Sequence, residues 1–154
     1  MAQKAATDWV SGFERRVSSA AVALYDQQGR VLLVKASYKP YWTFPGGVID
    51  SSETPRMAAV RETWEETGIE LLQDDLEFCI VADRVSDIAH TYQLVFEQQV
   101  DPRLFENITI DGGEITDWIL VSRSEIMSGD RYYSQTAQSW AEGATGYLEQ
   151  QFSN

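Results

Sequence analysis

GGVIDSSETPRMAAVRETWEETGIE, residues 46–70, decides how the rest of the chain is read. A helix is predicted from about Pro55 to Thr67: Thr54 suits its N-cap, Pro55 its first turn, and Gly68 the residue after its end. Glu62, Glu65 and Glu66 then stack on one side, where like charges at these spacings cost about 0.2–0.5 kcal/mol per pair. They also sit in the last two turns, against the helix macrodipole. Arg61 is the only base in the helix after Arg56, and one guanidinium cannot neutralise three carboxylates. Two readings compete, a solvated acidic face and a hard-cation site. The second explains why carboxylates should crowd against their own repulsion, since Mg²⁺ takes oxygen ligands and keeps waters for the rest of its shell. On the other side of the helix Met57, Val60 and Trp64 form an apolar stripe, expected to dock onto a sheet. Ala58 and Ala59 are expected to leave the acidic side uncluttered.

Bulk properties narrow the partners. The chain has 154 residues, 24 acidic and 12 basic, and a formal charge of -12, so polyanions and anionic membrane surfaces are repelled unless cations intervene. Nucleic acid is therefore an unfavourable main partner. No apolar run approaches the roughly 20 residues of a membrane span, and the N-terminal stretch lacks a basic head followed by an apolar segment. The expectation is a soluble, cytoplasmic protein. One cysteine, Cys79, excludes an internal disulfide and reads as a buried thiol. With one histidine, His90, there is no Cys/His zinc set, so any metal must be held by oxygen.

The length suits one domain with a sizeable core, and no repeat or low-complexity linker divides it. We expect a single domain over 1–154, with a core at about 17–127 and a helical tail at about 130–152. VSSAAVALYD and RVLLVKAS read as strands around Gln27-Gln28-Gly29, and YWTF as a short extended piece ended by Pro45-Gly46-Gly47. LEFCIVADRVSD and HTYQLVFEQQV resemble a long antiparallel pair. DWILVS reads as a late strand before a short helix near Ser124-Glu125-Ile126. The sum is an α+β protein.

Read from Gly47, the opening stretch resembles the signature of the Nudix hydrolases, G-x5-E-x7-R-E-U-x-E-E-x-G-U with U a bulky aliphatic residue. Gly47, Glu53, Arg61, Glu62, Glu65, Glu66, Gly68 and Ile69 fit, and Thr63 departs, standing where an aliphatic residue is usual. Seven fixed types at about 7% each give a chance match on the order of one in a hundred million placements. WTFPGG before the signature and GGEITDWILVSRSEI after it are similar to the family at a coarser level.

The resemblance implies an αβα sandwich with a mixed sheet and a loop-helix-loop metal site. It implies hydrolysis of a phosphoanhydride in a nucleoside diphosphate-X or (d)NTP substrate, with Mg²⁺ or Mn²⁺ as cofactor and release of a nucleoside monophosphate. Carried over by position, Glu62, Glu66 and Glu65 are candidate metal ligands, with the Gly46 carbonyl a further oxygen. Arg61 is expected to orient Glu62 and Glu53, and Glu53 to complete the metal shell or hold the loop. The general base is left among Glu65, Glu66 and the downstream Glu114. A base-stacking partner is sought among Tyr38, Tyr41, Tyr92 and Phe105, each of which could equally be core or rim. Substrate markers of the family's subgroups are absent; Arg84 and Val85 occupy the region where ADP-ribose pyrophosphatases carry proline. The competing functions are a non-catalytic nucleotide sensor and an RNA 5′-pyrophosphohydrolase, both opposed by the acidity if DNA or RNA is the partner. A homodimer stays open.

Overall fold

The computed structural model describes residues 8–151. Its centre is one mixed eight-stranded sheet. β1 (Ser18–Tyr25) alternates its side chains strictly: Ala20, Val22 and Leu24 enter one core, while Ala21 and Ala23 enter the other. Both faces of this strand are therefore covered, which explains why VALY-type apolar density runs without polar interruption. β2 (Arg30–Ala36) turns back antiparallel beside β1, and β3 (Trp42–Thr43) pairs with β2. β5 (Glu77–Val85) and β6 (His90–Gln99) form the predicted antiparallel pair. β6 lies parallel to β1 from Ser18↔Tyr92 to Tyr25↔Gln99. β7 (Ile115–Ser122) adds antiparallel to β2.

β4 (Gly46–Val48) is a strand where the sequence suggests a turn. Neither Gly46 nor Gly47 has a positive φ. Their lack of a side chain serves close approach instead. A Cβ at Gly46 would lie 2.3 Å from the Ala20 carbonyl oxygen, across the antiparallel pairing with β1.

Helix α1 (Pro55–Thr67) has the predicted bounds. The Thr54 side chain accepts from the Met57 N–H, and Gly68 closes the helix at φ 74°. Its buried face matches the predicted one only at Val60, which is half-buried against the core. Ala58, Ala59, Thr63 and Thr67 are buried, whereas Met57 is 40% and Trp64 53% exposed. Small residues win because α1 lies close over Ala20 and Val22 of β1, and large side chains would hold it off. Thr63 is tolerated at the buried signature position because its hydroxyl donates to the Ala59 carbonyl at 2.8 Å.

The opposite face of the sheet is covered by α2 (Arg123–Ser128) and α3 (Gln135–Ala141), whose Ile126, Ala137 and Trp140 pack on Val31, Leu33 and Ile80. The result is an αβα sandwich. The tail departs from the helical expectation: after α3 it becomes β8 (Gly146–Gln151), parallel to β5. Gly143 and Gly146 take positive φ and turn the chain out of the helix, and Gln150 then alternates inward between the exposed Tyr147 and Gln151. Residue 152 lies outside the described residues.

The inverted helix face is testable. Ala58→Leu is expected to cost about 1–3 kcal/mol by overpacking, while Trp64→Ala shifts stability by no more than about 0.5 kcal/mol, both measured by urea denaturation.

Candidate active site

Arg61 is the hub of the loop and helix. Its Nε and Nη2 donate to the two carboxylate oxygens of Glu53 at 2.6 and 2.9 Å, a bidentate pair. Nη1 donates to Glu62 at 2.8 Å and to Glu65 at 3.2 Å, and Nη2 also reaches the Val48 carbonyl at 3.1 Å. One side chain thereby joins β4, the loop before α1 and two turns of the helix. Glu53 is further fixed by the Asp50 N–H, 3.1 Å from its carboxylate. With Arg61 beside it, its carboxyl is pulled down to about 2.

Glu66 is held differently. Its carboxylate accepts from the Gly46 N–H at 3.1 Å and has no bond to Arg61. Burial pushes its pKa up to about 8, with the charge of Glu62 adding to the shift. Burial raises Glu62 as well. The Glu62 carboxyl lies directly on Gly47, where a Cβ would come within 2.4 Å of it. This close approach accounts for the second glycine.

Glu114 enters from the loop before β7. The Ser37 N–H donates to its carbonyl at 2.8 Å, and the Tyr38 hydroxyl donates to its carboxylate at 3.3 Å. Its charge acts on both Glu62 and Glu66, so the loop brings it to the same acidic centre. Tyr38 is 65% exposed at the rim. Tyr41 stands farther along, edge-on to Tyr132 with ring centroids 5.8 Å apart.

The other two aromatic candidates lie elsewhere. Phe105 is 3% exposed within the core beneath α1 and offers no face to a ligand; the 3₁₀ turn Pro102–Asn107 carries it inward. Tyr92 is engaged by Arg16, beside the His90–Asp83 pair near the start of β6.

Lys39, whose charge acts on Glu66, and Arg84, whose charge acts on Lys39, are not legible as site residues in the sequence. Lys39 is pushed below its ordinary pKa by burial, and its ammonium feels Glu66, Glu114 and Glu62 as well as Arg84. It lies 5.4 Å from the Tyr38 ring centroid. Neither base belongs to the acidic stretch, and only the fold of the β2–β3 loop against the end of β5 brings them there. Cys79, by contrast, is buried as expected, with its thiol pushed up to about 12.

The donors at this centre are all oxygens, the set a hard divalent cation prefers. Glu62 and Glu66 are half-buried with raised pKa values, and Glu66, which has no bond to Arg61, would gain positive charge from a bound cation. Among the described residues, no three acidic, histidine or cysteine side chains are drawn together tightly enough to coordinate an ion.

A family model described as the NUDIX domain matches residues 14–140. The chain belongs to the Nudix hydrolase family. Among curated Nudix relatives, a MutT-like protein of Streptomyces ambofaciens is 40% identical over 58 residues, which cover 38% of each chain. An RNA pyrophosphohydrolase of Psychrobacter sp. (strain PRwf-1) is 43% identical over 58 residues, 38% of this chain and 32% of that protein. An 8-oxo-dGTP diphosphatase of Proteus vulgaris is 31% identical over 77 residues, 47% of this chain and 64% of that one. The chain thus spans less than two thirds of each of these relatives. Among solved structures, a MutT Nudix hydrolase from Burkholderia pseudomallei superposes with a TM-score of 0.71 at 21% identity, covering 86% of this chain and all of that one. The Nudix fold is therefore present from the first strand to the last helix.

The two carboxyl shifts predict opposite pH effects. Glu53 is depressed, so its stabilising contribution is complete above about 4.5 and lost as pH falls towards about 2; Glu53→Gln should flatten the acid limb of thermal melts. Glu66 is raised, so in chelator its contribution declines as pH rises from about 4.5 to about 8. Glu66→Gln should remove that decline, as should added Mg²⁺ in the wild type.

Proposed function

We propose that the protein hydrolyses a phosphoanhydride bond in a nucleoside diphosphate-X or (d)NTP substrate, releasing a nucleoside monophosphate, with Mg²⁺ or Mn²⁺ as cofactor. The observation that carries this reading is the gathering of Glu53, Glu62 and Glu65 on Arg61, with Glu66 half-buried beside them against the Gly46 N–H. Glu62, Glu65, Glu66 and the Gly46 carbonyl would hold the cation. When bound it would supply Lewis-acid stabilisation of phosphoryl charge and lower the pKa of water.

The chain's own residues divide the remaining work. Arg61 orients the carboxylates by its bidentate bond to Glu53 and its bonds to Glu62 and Glu65. Lys39, whose ammonium feels the charges of Glu66, Glu114 and Glu62, would offer positive charge to the non-bridging phosphate oxygens. Glu114 is the best candidate base. It faces Glu62 and Glu66 and is not tied to Arg61, so it is free to accept a proton from water. Glu65 and Glu66 are otherwise committed, one to the guanidinium and one to the Gly46 N–H.

The RNA reading has support from relatives described as RNA pyrophosphohydrolases, and the mononucleotide reading from one described as an 8-oxo-dGTP diphosphatase. The charge of -12 favours the small substrate.

Phosphate release, coupled to a phosphatase where needed, separates these readings. The panel comprises ADP-ribose, nucleotide sugars, dinucleoside polyphosphates, normal and oxidised dNTPs, and 5′-triphosphorylated RNA, each with Mg²⁺, Mn²⁺ or chelator. Metal-dependent turnover of a small nucleotide is expected, abolished in Glu66→Gln. Glu114→Gln is expected to lower kcat by about 10²–10⁴ with little change in KM. Silence across the panel with nucleotide binding retained would favour a non-catalytic sensor.

A further inference from the structure

His90 is the chain's one histidine, and a single atom of it has two partners that it cannot satisfy together. Arg16 Nη1 lies 3.1 Å from its Nε2, and a carboxylate oxygen of Asp83 touches the same nitrogen. Arginine donates and never accepts, so its bond requires a lone pair on Nε2. An ionised carboxylate only accepts, so its bond requires a proton there. The nitrogen carries one or the other.

Three parts of the sheet supply these groups. Asp83 lies near the end of β5 and His90 opens β6, while Arg16 precedes β1, which runs parallel to β6. All three side chains are half-buried, so water screens their charges only in part. β6 adds Tyr92, whose hydroxyl accepts from the same Arg16 nitrogen and whose ring centroid lies 5.3 Å from the guanidinium. β8 adds Tyr147, with its hydroxyl 3.2 Å from Asp83 and 3.0 Å from Glu149. Glu14 reaches Arg16 at 3.9 Å, Asp87 is exposed in the turn before His90, and Arg84 alternates to the opposite face of β5. His90 therefore stands between one close cation and one close anion.

Arg16 also fastens a segment that is otherwise lightly held. Residues 8–11 form a helical turn. Trp9 and Phe13 pack edge-on to each other with ring centroids 4.6 Å apart, both exposed. Among the described residues, the polar contacts of this segment with the sheet are those of Arg16 and of the Val17 carbonyl, which accepts from the Tyr92 N–H at 3.3 Å.

We propose that His90 is a pH-sensitive latch for the N-terminal segment. With the imidazole neutral, Nε2 accepts from Arg16 and holds the segment at the start of β1. On proton uptake from solvent, Nε2 donates to Asp83 and the imidazolium repels the guanidinium, leaving only Tyr92 to hold Arg16 against a neighbouring cation. The open form takes up the proton more readily than the closed one, so the latch is closed at high pH and opens as pH falls through the imidazole range, about 8 to 5.

A lone histidine gives one set of imidazole signals, so NMR of the full chain without a histidine tag reads its protonation directly. The Tyr92 amide reports the latch, because its bond to the Val17 carbonyl requires the segment to be seated. Its exchange protection, corrected for the intrinsic rate, is expected to fall about tenfold from pH 8 to pH 5, with a midpoint that coincides with the His90 titration. His90→Gln offers an amide oxygen to Arg16 and an amide N–H to Asp83 at every pH, so it should keep the segment seated throughout. Asp83→Asn should move the midpoint to lower pH, because the imidazolium loses its carboxylate. Tyr92 protection that stays constant while His90 titrates would overturn the proposal. So would loosening in His90→Gln equal to that of the wild type, or an imidazole that keeps one charge state across the range.

Discussion

One guanidinium makes the acidic end of this protein compatible with folding. Glu62 and Glu65 repel each other along α1, and Glu53 arrives from the preceding loop with the same charge. Arg61 engages all three and adds the Val48 carbonyl of β4. Its planar fork can satisfy two oxygens of Glu53 and still turn a second edge to the helix, a geometry that lysine cannot reproduce. The arrangement demands that helix and strand approach closely, and the small residues meet that demand. Gly46 admits β1, Gly47 admits the Glu62 carboxyl, and Ala58 and Ala59 let α1 settle on the sheet.

That same demand explains where sequence reasoning succeeds and where it fails. The helix bounds, the capping by Thr54 and Gly68, the antiparallel β5–β6 pair and the late strand with its short helix follow from local chemistry, and local chemistry is what a sequence displays. The buried face of α1 does not. A hydrophobic stripe of Met57, Val60 and Trp64 is the better local candidate, but the distance set by Arg61 and the glycines rewards small side chains over large ones. Gly46 and Gly47 look like turn formers for the same reason: close approach is a tertiary fact. In the tail, Gly143 and Gly146 mark a change of element, which local propensity cannot tell from a weak helix.

The candidate site shows the same division. The carboxylates and Arg61 lie within one stretch and can be named from their spacing. Lys39 and Arg84 are 45 positions apart in a chain that is mostly acidic, and nothing local links either to Glu66. The pairing of β2 with β3 and of β5 with β6 and β8 delivers them. Phe105 illustrates the converse, an aromatic residue in a polar-looking loop whose 3₁₀ turn buries it.

The sandwich also separates two kinds of task. α1, on one face, carries the acidic side chains, while the segment after α2 and the edge strand β8 build a polar cleft towards the other. The acidic part depends on a narrow set of contacts, since Glu53, Glu62, Glu65 and Glu66 are each on Arg61, on a backbone N–H or against a glycine. Removing Arg61 would leave Glu53 and Glu62, both half-buried, without their cationic partner. The cleft rests on backbone bonds between Trp42 and residues 132–134, which any side chains could make. The Tyr132 side chain can therefore be exchanged without disturbing the fold, whereas a side chain at Gly47 would displace the Glu62 carboxyl.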